Sequence, residues 1–338
     1  MIITIFILLL SLTFLQCDVD DGLSPQETIL LDSSPFNMEQ ALVSIASNGD
    51  ILVGDPNQGK ISVFEADGTF IRSFGQLGRG PGEFGYLIHV IQLANGDYMV
   101  SDLSGKIERF SSDGEHMITY PIPVLGRTAK LIEIDSETLL IAGLSSRDEN
   151  LTLLHLLDLN TGEITSSFFE APFQMSDYGG LLHSMSGFSD AVFDGSLIYA
   201  FITFSDIMYI FDLEGNLIDQ KKIIDFIHFT PLEPFDYALN DDQLAEKMES
   251  YSLISNIYWK NESTIIIEHV KSVDVQIQPF RHSVEYGMSM INLDGGVACE
   301  SNKLQRVHGF NSTSGLLYTG HPDMPETGEP LVRTFTIE

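Results

Sequence analysis

Apolar and polar residues alternate in short runs along most of the chain, and turn residues break each run. Residues 48–64 read NGDILVGDPNQGKISVF, with Ile61 and Val63 on one side of a strand and Ser62 on the other. This period-2 pattern predicts half-buried β-strands. Asn48-Gly49 opens the stretch and Asp67-Gly68 follows it. Both dipeptides are strong short hairpin signals.

The same sentence is written again further on. Residues 95–110 read NGDYMVSDLSGKIERF, and Asp113-Gly114 follows, at an offset of 47 (95 − 48). Self-similarity at this period predicts a β-propeller with one four-stranded antiparallel blade per repeat. Looser copies occupy 127–169, 186–224, 252–302 and 304–337, which makes six units. The sixth is one strand short. Residues 27–31, ETILL, form a spare strand ahead of the first unit. The economical solution is that this N-terminal strand closes the last blade, because closure removes the open sheet edges. The expected fold is therefore all-β, a six-bladed β-propeller over 27–338. One short helical insertion falls within 225–251. There Asn240 can cap, Asp241 and Asp242 fill the first turn, and Leu244 and Met248 share a face.

Between the first two units lies FGQLGRGPGEFGYL, residues 74–87, which contains Gly80-x-Gly82-x-x-Gly85. A dinucleotide site needs a helix after such glycines, because the helix N-terminus holds the pyrophosphate. Here LIHVIQL and another Asn-Gly follow. The glycines are instead expected to allow a tight crossover between blades through positive φ angles. The stretch FGQLGRGPGEF with the blade ANGDYMVSD…GKIERFSSDG resembles an NHL-type repeat. That resemblance is strong over 48–120 and weak elsewhere. It implies the propeller fold. Activity stays open, since propellers of this type include scaffolds, ligand binders, lactonases and lyases.

The leader changes the picture of where the protein works. Residues 1–16 read MIITIFILLLSLTFLQ, an apolar run too short to span a bilayer comfortably and matching a signal peptide. It ends at Cys17. Phe14-Leu15-Gln16-Cys17 resembles a lipoprotein lipobox, departing from it at Phe14 and Gln16. Residues 17–26 then form an acidic tether. With the propeller, this resembles lipoproteins of Bacteroidetes-type bacteria, which implies a lipid anchor on Cys17 and an extracytoplasmic, outer-membrane location. Cys299 is the second of two cysteines, so a disulfide framework is not expected; it is read as a small buried apolar residue. The formal net charge is −31. Such a surface repels nucleic acid and tolerates cations.

Candidate chemistry follows from blade position. Crossovers and the loops joining second to third strands share one face of a propeller. On it fall Asp55, Arg79, Glu83, Asp102, Arg127, His183 and the loop 271–279. Asp55 and Asp102 occupy equivalent places, where each can also cap its own turn. Arg79 offers a fixed fork for carboxylate or phosphate in a glycine-rich loop. None of the nine histidines shows HxH or HxxxH spacing. Two function classes result. The first is a monomeric, envelope-anchored binding or scaffold module, without catalysis, for a partner protein or small ligand on this face. The alternative is a calcium- or zinc-dependent lactonase or lyase on the same face. Calcium could be held by channel carboxylates, but no blade carries a recognisable ligand set.

Overall fold

The computed structural model describes residues 23–31, 41–103, 105–122, 130–144, 151–174, 177–178, 188–223, 226, 228–235, 239–304, 306–320 and 331–337. They form six four-stranded sheets. After β1 (Leu23–Leu30), blade one holds β2 (Leu42–Ile45), β3 (Ile51–Asp55), β4 (Lys60–Phe64) and β5 (Phe70–Phe74). The crossover carries β6 (Gln76–Leu77) and β7 (Glu83–Phe84), which pair in parallel. Blade two holds β8 (Leu87–Gln92), β9 (Tyr98–Asp102), β10 (Lys106–Phe110) and β11 (His116–Pro121). Blade three holds β12 (Lys130–Glu133), β13 (Thr138–Ala142), β14 (Thr152–Asp158) and β15 (Ile164–Glu170). Blade four holds β16 (Ser189–Phe193), β17 (Ile198–Ile202), β18 (Ile207–Phe211) and β19 (Leu217–Lys222). Blade five holds β20 (Ser252–Asn261), β21 (Thr264–Ile277), β22 (Phe280–Asn292) and β23 (Val297–Leu304). Blade six holds β24 (Val307–Asn311), β25 (Leu316–Gly320), β26 (Leu331–Ile337) and, on its outer edge, β1.

The closing strand is where the missing strand predicts it. β1 pairs antiparallel with β26 from Leu23↔Ile337 to Leu30↔Leu331. It opens at Leu23 rather than Glu27, inside the stretch 17–26 read as tether. Each junction between blades has its own apolar cluster, because a blade has two apolar faces and needs a neighbour on each. Leu52, Ile61 and Phe74 of blade one meet Val90, Tyr98 and Phe110 of blade two. At the closing junction Ile51, Val53 and Phe64 meet Ile29, Tyr318 and Val332. Consecutive inner strands touch around the ring, with β24 against β2. Asn311 Nδ2 clasps that joint by donating to Ala46 O at 3.3 Å.

The insertion is the helix α1 (Asp241–Glu249), with the Asn240–Gln243 capping box in place. Asn240 Oδ1 accepts from Gln243 N at 2.9 Å. The helix rests on β21, where Glu249 Oε1 accepts from Val275 N at 2.7 Å. The expected loop 271–279 is mostly not a loop. β21 and β22 run on as a paired hairpin past the last partner of β20, Lys271. Cys299 is buried between blades five and six, yet it is disulfide-bonded rather than an inert apolar side chain. Among the described residues no helix is long and apolar enough to cross a membrane.

Candidate functional site

The glycine-rich crossover is built around one carboxylate. Glu83 Oε2 accepts from Gly80 N at 2.8 Å and Arg79 N at 3.0 Å, and Oε1 accepts from Gln76 Nε2 at 2.8 Å. The bond from Gly80, then that from Gln76, hold its carboxyl below the ordinary value. Of the three motif glycines, only Gly82 takes a positive φ, 71°. A Cβ there would also press on His116 at 3.1 Å. Gly80 and Gly85 instead offer amides: Gly85 N donates to Asp102 Oδ2 at 2.7 Å, and Tyr86 N to the same oxygen at 3.1 Å. The motif is thus a blade joint, as its context requires, and positive φ is taken in this stretch by Gly75, Gly78 and Gly82 but not by Gly80 or Gly85.

A buried polar hub locks the joint from below. Lys106 Nζ donates to Gly80 O at 3.0 Å, to Glu83 O, and to Glu108 Oε1 at 2.6 Å. Glu108 is fully buried and also accepts from Thr119 Oγ1 at 2.6 Å, with His116 Nε2 at 2.8 Å. Asp55 caps its own turn, accepting from Asn57 N at 2.9 Å and Gln58 N at 3.1 Å. The structure therefore brings Asp55, Arg79 and Asp102 to adjoining loops. It employs both aspartates in holding backbone. The Arg79 side chain is exposed, with no hydrogen bond or ion pair among the described residues. Cys17, Arg127 and His183 lie outside the described residues.

The cavity lies elsewhere, in the axial channel. It is open, has a volume of about 670 Å³, and is lined by the innermost strands of all six blades. Polar side chains reach it from different blades. Lys130 and Asp190 stand at the starts of β12 and β16, with Lys130 Nζ 3.6 Å from Asp190 Oδ2. Lys130 Nζ also donates to Asn256 Oδ1. Glu268 is fully buried and satisfied: Oε2 accepts from Ser255 Oγ and Asn256 Nδ2, each at 2.6 Å, and Oε1 from Val307 N. Asp190 is 4% exposed and Oδ1 accepts from Ala191 N at 2.8 Å, but Oδ2 has no hydrogen-bond partner. Burial pushes the carboxyls of Asp190 and Glu268 above the ordinary value; Lys130 opposes this at Asp190.

Two histidines line the same channel in neutral form. Burial, then Lys130, pulls His89 well below its usual value, and its Nδ1 accepts from Leu131 N at 3.1 Å. Burial, then Arg306, takes His308 down to about 3. Apolar wall comes from residues such as Ile132, Val192, Val270 and Val284, and from Trp259. Among the described residues no group of three or more His, Cys, Asp or Glu could hold a metal ion. A second constellation, Ser289 with His269 and Glu300, is closed to solvent. Ser289 Oγ donates to Glu300 Oε1 at 2.9 Å and lies 3.2 Å from His269 Nε2, so its proton is directed away from the histidine. That is the order of a buried tie, not of an activated nucleophile.

Blade position, used from sequence, finds the loops but misses this channel. The available signal was a charged residue opening an otherwise apolar inner strand: Lys130 before Leu131-Ile132, Asp190 before Ala191-Val192.

Six closed blades around a lined axial cavity define the class: a six-bladed β-propeller with a mixed polar and apolar channel. The chain belongs to the DUF5128 family of six-bladed β-propellers, whose model matches residues 33–278. Among solved structures it is similar to a DUF4221-family protein from Bacteroides vulgatus, at 11% identity and TM-score 0.65, covering 94% of this chain and 97% of that one. It is also similar to a Bacteroides fragilis protein described as exported, at 12% identity and TM-score 0.60, covering 94% and 96%. A streptogramin B lyase structure matches at 11% identity and TM-score 0.50, covering 93% and 98%. At these identities the likeness is one of fold. No curated protein matches the chain.

Proposed function

We propose that this propeller is a binding module of the cell envelope, taking a small ligand in the mouth of its axial channel. One observation carries the reading: a cavity of about 670 Å³ whose lining combines apolar walls with converging, partly unsatisfied polar groups. That size and character fit small-molecule sites in general. It refines the expectation of binding on the crossover-loop face. Lys130 is the first residue of β12 and Asp190 the second of β16, so both stand at the end of the channel where the chain enters its inner strands, the end to which crossovers belong. The lipobox-like end of the leader at Cys17, and the likeness to a protein described as exported, support export and a lipid anchor.

The test is thermal unfolding with the small-molecule filtrate of an envelope extract. The filtrate should raise the Tm of the wild type and not that of Asn256→Leu. A shift that survives Asn256→Leu but disappears in Arg79→Ala moves the site to the loops. A shift given only by the retained protein fraction favours a partner protein. For the anchor, Cys17→Ser should release the protein from membranes. The chain has two cysteines, so in one molecule a disulfide at Cys299 and an acylated Cys17 exclude each other. Intact mass of the mature protein separates them; a mass without acyl groups removes the anchor.

A further inference from the structure

The lining of the channel also says what kind of molecule it suits, if it is the binding site proposed above. Among the described residues, Asp190 Oδ2 is the buried side-chain atom left without a hydrogen bond, with Lys130 Nζ 3.6 Å away as its ion-pair partner, while both oxygens of Glu268 are satisfied. A buried acceptor left unpaired costs about 1–3 kcal/mol, so a molecule that donates to it is favoured. Three ligand classes compete for that place. An ammonium group would have to enter beside Lys130 Nζ, itself 3.6 Å from Oδ2. Two like charges at that spacing in a poorly hydrated site repel strongly. An anion would face the carboxylates of Asp190 and Glu268, both held rigidly by the fold. Lys130 and Arg306 on the same lining match these two carboxylates in number, so the lining holds no excess of formal charge of either sign.

A hydroxyl group meets neither objection. It donates to Asp190 Oδ2 and accepts from Lys130 Nζ, which lie close enough to serve one hydroxyl or two adjacent ones. It also serves Asp190 in either protonation state, because a hydroxyl both donates and accepts. Beyond the pair, Asn256 and Tyr286 add neutral polar groups, while Trp259 and Val284 supply apolar surface. Clustered hydroxyls on one edge and C–H groups on the faces are the features of a sugar ring. We propose that the channel mouth binds an uncharged saccharide, with ring hydroxyls bridging Asp190 Oδ2 and Lys130 Nζ.

The protein carries its own reporter, since Trp259 is its single tryptophan and lines the cavity. Full-length protein is titrated with galactose, N-acetylglucosamine, lactose, choline and citrate, following Trp259 emission, with equilibrium dialysis alongside. At least one of the three saccharides should bind saturably. Asp190→Asn and Lys130→Met should each weaken that binding about tenfold or more, and Arg79→Ala should leave it unchanged. Binding of choline or citrate with no saccharide bound, if weakened by Asn256→Leu, overturns the saccharide assignment and keeps the channel. Failure of all five probes overturns the assignment, and the extract experiment then decides the channel by itself. Saccharide binding indifferent to Asp190→Asn means that Oδ2 is served by water alone, and the bridging role is lost.

Discussion

Asp102 and Arg79 stand on the same loop cluster and do opposite amounts for the fold. Asp102 Oδ2 receives two backbone amides of the crossover. Asp102→Ala leaves Gly85 N and Tyr86 N without that acceptor, and should lower stability by about 1–3 kcal/mol. Arg79→Ala removes an exposed side chain and should stay within about 0.5 kcal/mol of wild type. Urea denaturation of the two variants checks the pair; equal losses would mean that the Arg79 side chain supports the joint after all. The sequence shows both residues plainly, but not this division of labour. An aspartate at the end of a second strand reads the same whether it holds its own turn, as Asp55 does, or the neighbouring crossover, as Asp102 does.

At the level of blades, what can be read from sequence tracks how local the signal is. Blades one and two announce themselves because strand alternation and turn dipeptides lie within one short stretch. The helix α1 is equally local, and its capping residue and first turn stand where the sequence puts them. The channel is assembled differently. Lys130, Asp190, Asn256 and Arg306 come from four blades, and no spacing between them repeats. Only closure of the ring makes them neighbours. The long hairpin β21–β22 is hidden for a related reason: its polar outer half reads as loop, and pairing alone holds it as strand. The turn glycines provide a measurable contrast. Gly68 has φ 92°, and a Cβ there would lie 2.3 Å from Leu30 O of the closing strand. Gly195 has φ 100° with nothing within 4 Å. Both lose backbone freedom on substitution by Ala, but only Gly68→Ala collides with the backbone of β1. It should cost about 1–3 kcal/mol more than Gly195→Ala, read from chemical unfolding. Equal costs would mean that β1 yields freely.

For the whole molecule, pH dependence follows from histidines that fold in neutral. Burial depresses His269 to about 4 and His308 to about 3, and takes His89 well below the usual value of 6.5. The unfolded chain binds protons at these sites below about pH 6.5 while the folded chain does not. Stability from this source is complete above that pH and is lost as pH falls through the window toward 4 and then 3. Each histidine adds a slope of about 1.4 kcal/mol per pH unit. Asp190 and Glu268 act in the opposite sense, because their raised values make the folded chain the better proton binder in their own range. Unfolding free energies between pH 7.5 and about 5 should therefore decline on acidification. A level profile over that interval would mean that the three rings are hydrated in the fold.

The clasp between β1 and β26 has a mechanical meaning as well. Leu23 pairs with Ile337, so the two ends of the ring leave it from the same corner, on adjacent strands running in opposite directions. Tension applied between the ends loads this ladder one rung at a time, as a zip is opened, instead of shearing all its bonds together. Force spectroscopy on reduced protein, with handles attached at Leu23 and Ile337, should show a weak first event with a short gain in length, as β1 peels from blade six. Pulling between two interior blades should begin at higher force. The buckle of the ring is thus the place where it is expected to open first under load.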